Sequence, residues 1–262
     1  MKNKMMKIAL FSILTLIFMS FTTVKKPHYE SCGITNSSFQ DGEKLTYKLY
    51  YNWGYLWMSA GEVDFTVEDL GDEYHVKAVG RTYRKFDWFF KVRDTYEAFL
   101  DKETLLPNVT IRSVREGGYR LYDKLIFDRI NGKVTSYRGD YETDAKPKVY
   151  DIKQCTNEML SIVYYFRNVK FGEFDKGAEF PIDIFMDKET WPLNVKYKGV
   201  VSKKVSGFGT KKYRKFSPQM ITGDVFKDGA GVDVYVSDDK DQIPYLIELP
   251  LSVGMGKAIL KQ

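Results

Sequence analysis

The 262 residues include only two histidines and two cysteines, which is little material for the commonest catalytic and metal-binding chemistry. His28 lies in a polar stretch and His75 on the polar side of an alternating run. A Ser-His-Asp or Cys-His arrangement would therefore have to be built on His75 alone. No His-Glu-x-x-His, no paired-cysteine motif and no Walker-type loop occurs, so zinc and nucleotide sites lack sequence support. Gly207-Phe208-Gly209 is not followed by a glycine-rich helix start and reads as a bend between strands. Internal repeats and low-complexity tracts are absent. Nothing here implies a cofactor or a metal.

Long apolar runs are absent as well, except at the start. Lys2, Lys4 and Lys7 precede an almost wholly apolar stretch, Ile8 to Phe21. That stretch is short for a membrane span, which needs about 20 apolar residues. It has the layout of a secretory signal, so residues 1–22 are expected to be a signal peptide. An uncleaved N-terminal anchor is the alternative. No cysteine follows closely enough to carry a lipid, since Cys32 is too far downstream. The mature chain would then hold no transmembrane span.

Charge excludes a further class. The formal net charge is +5, and Lys2, Lys4 and Lys7 supply three of the 40 basic residues. Without them 37 bases face 35 acids, about +2, which is no footprint for nucleic acid. Cys32 and Cys155 would meet oxidising conditions in an exported protein, so they can pair, but two cysteines are too few for spacing to decide.

What the sequence has in abundance is aromatic residues, 16% of the chain with 19 tyrosines, and these fit half-buried pleated surfaces. Leu45, Tyr47, Leu49, Tyr51 and Trp53 recur at every second position, the period of a strand with one wet face. Gly54 and Ser59-Ala60-Gly61 interrupt; Val63, Phe65 and Val67 resume. Further strands are expected over Glu73–Arg81, within Arg84–Phe99, and over Val109–Val114, Tyr119–Asp128 and Val134–Tyr137. Later ones follow over Glu179–Met186, Leu193–Val205, Lys211–Ile221, Gly231–Ser237, Ile243–Pro250 and Ala258–Leu260. Gly117-Gly118 and Asn131-Gly132 mark hairpins. Asp151 to Arg167 breaks the rhythm with helical spacing and neither glycine nor proline, and Thr156 is a candidate cap. The expected fold is mainly β: one strongly curved antiparallel sheet, open or closed like a barrel, packed around one main helix. Residues 23–38 read as a flexible linker and 39–262 as a single β-rich domain.

Gly42-Glu43-x-Leu45-x-Tyr47, Ser59-Ala60-Gly61-x-Val63, Asp101-x-x-Thr104-Leu105-x-Pro107 and Phe127-Asp128 come in order. The helical stretch, Gly209-x-Lys211, Val234 to Asp239 before Ile243-Pro244, and Gly254-x-Gly256-x-Ala258-x-Leu260 follow. In this order, over Phe39 to Leu260, the chain resembles the family of exported bacterial proteins called domain of unknown function 3108. The resemblance implies an envelope protein of mostly β structure and supplies no catalytic residues. A curved sheet embracing a helix also looks like the lipoprotein-carrier folds of the periplasm, a likeness of plan only.

Carboxylates are the remaining acid–base material. Asp238, Asp239 and Asp241 follow a strand but lack the glycine and distal glutamate of a calcium loop, and read as turn residues. Glu43 and Glu62 flank the opening ribbon. The aromatics offer more. Trp53, Tyr55 and Trp57 run through the ribbon's bend, and Phe86, Trp88 and Phe90 form a second group with Phe89. At both places alternation fails, so consecutive rings cannot all face inward. These six are the expected ligand-binding residues. The expected function is that of a non-enzymatic envelope protein, exported to the periplasm or outer envelope of a Gram-negative bacterium. It would bind a hydrophobic or amphipathic ligand, lipid or lipoprotein-like, in a β-sheet cavity. The alternatives are a secreted hydrolase acting on envelope glycan through paired carboxylates, and a structural scaffold with an envelope protein as partner.

Overall fold

The computed structural model describes residues 32–53, 56–219, 231–251 and 254–261. The expected signal peptide lies outside them, as do residues 23–31 of the expected linker. Among the described residues fourteen strands form one antiparallel sheet. In chain order they are β1 (Lys44–Trp53), β2 (Leu56–Asp69), β3 (Glu73–Thr82), β4 (Arg93–Asp101), β5 (Pro107–Glu116), β6 (Tyr119–Asp128) and β7 (Lys133–Gly139). Then come β8 (Lys146–Asp151), helix α1 (Met159–Arg167), β9 (Glu179–Met186), β10 (Glu189–Val205), β11 (Gly209–Pro218), β12 (Asp233–Ser237), β13 (Pro244–Pro250) and β14 (Met255–Leu260). The lateral order is β8-β7-β6-β5-β4-β3-β2-β1-β14-β13-β12-β11-β10-β9. Two meanders, one ending in β8 and one beginning with β9, thus meet where β1 pairs with β14.

The alternation seen in the sequence sets which side chains face inward. Val63, Phe65 and Val67 of β2, Tyr74, Val76 and Ala78 of β3, and Ala98 and Leu100 of β4 gather with Leu160 and Tyr164 of α1 into one core. Those helix positions are four apart and so share a face. A second core collects Phe171, Val195, Tyr197, Phe216 and Val236, with Phe166, Phe180 and Val169 packed on it. The sheet is curved but not closed. Its two edges approach through residues 152–158: Asn157 N donates to Asp183 O at 2.8 Å, and Phe185 N to Asn157 O at 2.9 Å. This covers the free edge of β9, and Phe185 packs against Leu125, Phe127 and Val134 of the other meander.

Three sequence expectations change. The opening ribbon is not broken at Ser59–Gly61; β2 runs through it, and the irregularity is a register slip between Leu49 and Tyr50. Gly61 is required there because the Arg81 carbonyl occupies the space a Cβ would need. The helix begins at Met159, not at Asp151, and its cap is Glu158 rather than Thr156. Leu160 N donates to Glu158 Oε2 at 2.8 Å, and Glu158 N donates to Ser161 Oγ at 2.9 Å. Residues 32–38 of the expected linker are held in place. Cys32 and Cys155 form a disulfide. Ile34 N donates to Thr104 O, and Ser37 N to Asn168 Oδ1 at 2.6 Å.

Candidate functional site

Strand pairing places Leu125 opposite Ser136, and Ser136 opposite Lys148; Asp123 lies opposite Arg138, and Arg138 opposite Lys146. These side chains therefore share the concave face of β6–β8. The turn between β9 and β10, Asp187-Lys188, reaches them from the other end of the sheet. Both residues have positive φ, +51° and +74°, which a two-residue hairpin demands and which a lysine adopts at a cost. Asp187 Oδ1 accepts from Arg112 Nη2 at 2.6 Å and from Arg138 Nη1 at 2.9 Å. Buried Asp123 accepts from Ser136 Oγ at 2.7 Å and Arg138 Nη1 at 2.9 Å, with Arg112 Nη2 at 3.4 Å. Asp187 is part-buried, which works against its charge, but the two guanidiniums outweigh this and hold its carboxyl below the usual range. Two arginines and two aspartates balance, forming a neutral ionic latch across the open seam.

Above this latch lies a groove of about 450 Å³, lined by Tyr119, Leu121, Ser136, Arg138, Pro147 and Tyr150 and by the cations Arg120, Lys146, Lys148 and Lys188, with Asp140 as its one acid. Arg120 donates to the carbonyls of Gly117 and Tyr119. Lys148 Nζ lies 5.1 Å from the centre of the Tyr150 ring. Among the described residues no carboxylate forms an ion pair with Lys146, Lys148 or Lys188. The groove is thus an excess-positive slot at the place where the barrel fails to close, and its charge suits an anion.

The rim continues into the aromatic loop between β3 and β4. A Cβ on Gly117, which has φ +56°, would lie 3.1 Å from Phe90 Cε2. Phe90 therefore packs on the β5–β6 turn whose next residues line the groove. Trp88 is 84% exposed, Phe89 71% and Phe90 48%, while Phe86 is half-buried beneath them. Of the other expected site residues, Trp57 is 40% exposed on the outer face with Lys257 Nζ 4.4 Å from its ring centre. Trp53 ends β1, its side chain lying outside the described residues together with all of Tyr55. The structure therefore places Phe86, Trp88 and Phe90 on one loop, and no ring contact joins them to Trp57 among the described residues.

Among the described residues, the carboxylate pair with a raised member, Glu116 and Asp94, lacks the spacing of a glycosidase pair. Glu116 hydrogen-bonds buried Asp94; burial first, then the charge and hydrogen bond of Asp94, hold Glu116 above the usual carboxylate range. A raised pKa of this kind would suit an acid catalyst. A direct hydrogen bond, however, brings the two carboxyls closer than the roughly 5 Å that a retaining glycosidase leaves for its substrate. Neither residue lines the groove. Among the described residues no group of histidine, cysteine, aspartate and glutamate could hold a metal.

The family model described as protein of unknown function, DUF3108, matches residues 46–261. The chain belongs to the domain of unknown function 3108 family. No curated protein matches it. Among solved structures it is similar to a β-barrel-like protein of domain of unknown function DUF1849 from Brucella abortus. The TM-score is 0.57 and the identity 9%, covering 86% of this chain and 98% of that one. That likeness shows the fold alone.

In this member of the 3108 family the ordered motifs build turns and anchors. Asp101 Oδ1 accepts from the backbone of Glu103 and Thr104 and from Thr104 Oγ1, fixing a turn that drives Leu105 into the core at φ +54°. Asp239 Oδ1 accepts from Ser237 Oγ and from the backbone of Asp241 and Gln242. Glu43 receives both guanidinium nitrogens of buried Arg167, at 2.6 and 2.8 Å. The groove lysines belong to none of these motifs. Lys146-Pro-Lys148-Val-Tyr150 alternates, but Lys146 to Val149 are all exposed, and the sequence alone does not set the run apart from a solvated edge.

Proposed function

We propose that this is an exported, non-enzymatic envelope protein that binds an amphipathic, anionic ligand at the open seam of its sheet. The observation that carries the reading is the groove, where Lys146, Lys148 and Lys188 converge without carboxylate partners among the described residues, beside rings that reach solvent. Ammonium groups would hold the anionic head, since charge-assisted hydrogen bonds are the stronger ones. Tyr119, Tyr150 and Phe90 would cover the first apolar part, as tyrosine suits a boundary that is apolar on one side and wet on the other. A lipid or a lipoprotein segment has this chemistry. The concave face away from the groove is filled by α1 and the aromatic cores, so the ligand is proposed to lie in the seam and not in an enclosed pocket. The same features support neither a hydrolase nor a purely structural scaffold, which would leave the lysines unused. Native mass spectrometry of the full-length protein after mild extraction tests the reading. Co-purified lipid mass is expected; a clean apo mass in every preparation would count against it.

A further inference from the structure

The loop between β3 and β4 carries an arrangement that a soluble ligand does not require. Trp88 and Phe89 pack edge-on at 5.9 Å, yet both stand mostly in solvent. The loop holds them there firmly. Phe86 N donates to Tyr83 O at 2.8 Å, and Phe89 N and Phe90 N both donate to Phe86 O at 3.0 Å. Asp87 accepts from Thr82 Oγ1 at 2.7 Å and from Arg93 Nη2 at 2.6 Å, and Gly117 N donates to Lys91 O at 2.8 Å. The one acid of the loop is thereby neutralised, while Arg84, Lys85 and Lys91 remain exposed around the rings. Leu56, 66% exposed, emerges at the same end of the sheet, because β2 begins where β3 ends.

We infer that this loop docks the protein onto an anionic bilayer, with Trp88 and Phe89 entering the interface and Arg84, Lys85 and Lys91 meeting lipid phosphates. Exposed apolar groups ringed by cations are what such a surface recognises. Charge also argues against a second copy of this loop as the partner, since two such loops would bring like charges together. The inference does not depend on the groove reading, although docking here would turn the rim of the groove toward lipid.

The test is co-sedimentation of the full chain with phosphatidylcholine vesicles containing about one-third phosphatidylglycerol, against pure phosphatidylcholine. Binding to the anionic vesicles, weakened by salt, is expected. Trp88→Ala with Phe89→Ser should weaken it at least about tenfold, the equivalent of withdrawing some 60 Å² of apolar contact. Lys85→Glu with Lys91→Glu should weaken binding to the anionic vesicles alone. Circular dichroism should show both variants folded, since all four side chains are exposed or at the surface. Absence of binding, or full binding by the folded Trp88/Phe89 variant, would overturn the inference. So would a dimer in light scattering that only this variant loses, which would assign the loop to self-association.

Discussion

Replacing Glu43 by Ala should be strongly destabilising although it lies outside the hydrophobic core. Arg167 closes α1, and its side chain is 3% exposed; that of Glu43 is 14% exposed. The guanidinium spans three segments: Glu43 receives two of its nitrogens, Ser38 O receives Nη2 at 3.0 Å, and Asp241 O receives Nε at 3.1 Å. It also lies over the rings of Phe39 and Tyr164. Burial works against its charge, and the Glu43 carboxylate more than offsets that. An arginine does not neutralise itself when its partner is lost, so Glu43→Ala strands a buried cation. Breaking such a pair costs about 3–5 kcal/mol, and the slight exposure of Glu43 favours the lower end. For a domain of this size about 3 kcal/mol lowers Tm by roughly 6–12 °C. Urea denaturation of wild type, Glu43→Ala and Glu43→Leu with Arg167→Met measures it. The double variant should recover most of the loss, because it leaves no buried charge. A Glu43→Ala loss below about 1 kcal/mol would refute the reasoning, showing that water reaches Arg167 freely.

Other outcomes follow from the same structure. Reducing Cys32–Cys155, which are 123 residues apart, should cost about 4–5 kcal/mol in the chain-entropy model, read as a shifted urea midpoint with and without reductant. Asp187→Asn should remove stability that wild type holds above the unfolded aspartate pKa and loses as pH falls through the depressed folded value, so the two denaturation curves should converge in acid. Glu158 has the opposite sign: burial holds its carboxyl above the usual range, so charge costs stability as pH rises past the unfolded value. Glu158→Gln, which keeps an acceptor for Leu160 N, should match wild type in acid and equal or exceed it at neutral pH; a clear loss at neutral pH would contradict this.

Most strands were legible because one face is buried and the other wet, as in Tyr74, Val76 and Ala78 against His75 and Lys77. β8 was not, since Lys146-Pro-Lys148 is polar and lies at a sheet edge where alternation carries no apolar signal. The helix start was misplaced because Glu158 is an unusual cap and residues 152–158 serve the edge of β9 instead. Failure of alternation correctly marked Trp88 to Phe90 as unable to lie all inward. The groove was invisible for a different reason: its walls come from β6–β8 and from the β9–β10 turn, which become neighbours only when the sheet curls. Alternating lysines on a single strand look like a solvated edge until the far hairpin arrives.

The central claim is an anionic, amphipathic ligand in the seam, and calorimetric titration with dodecyl phosphate tests it most directly. Wild type should bind dodecyl phosphate more tightly than either inorganic phosphate or dodecanol, because only the first engages both lysines and rings. Lys146→Ala, Lys148→Ala and Lys188→Ala together should weaken binding about tenfold or more while leaving the fold intact. No binding by wild type, or equal binding by the folded triple variant, would contradict the account.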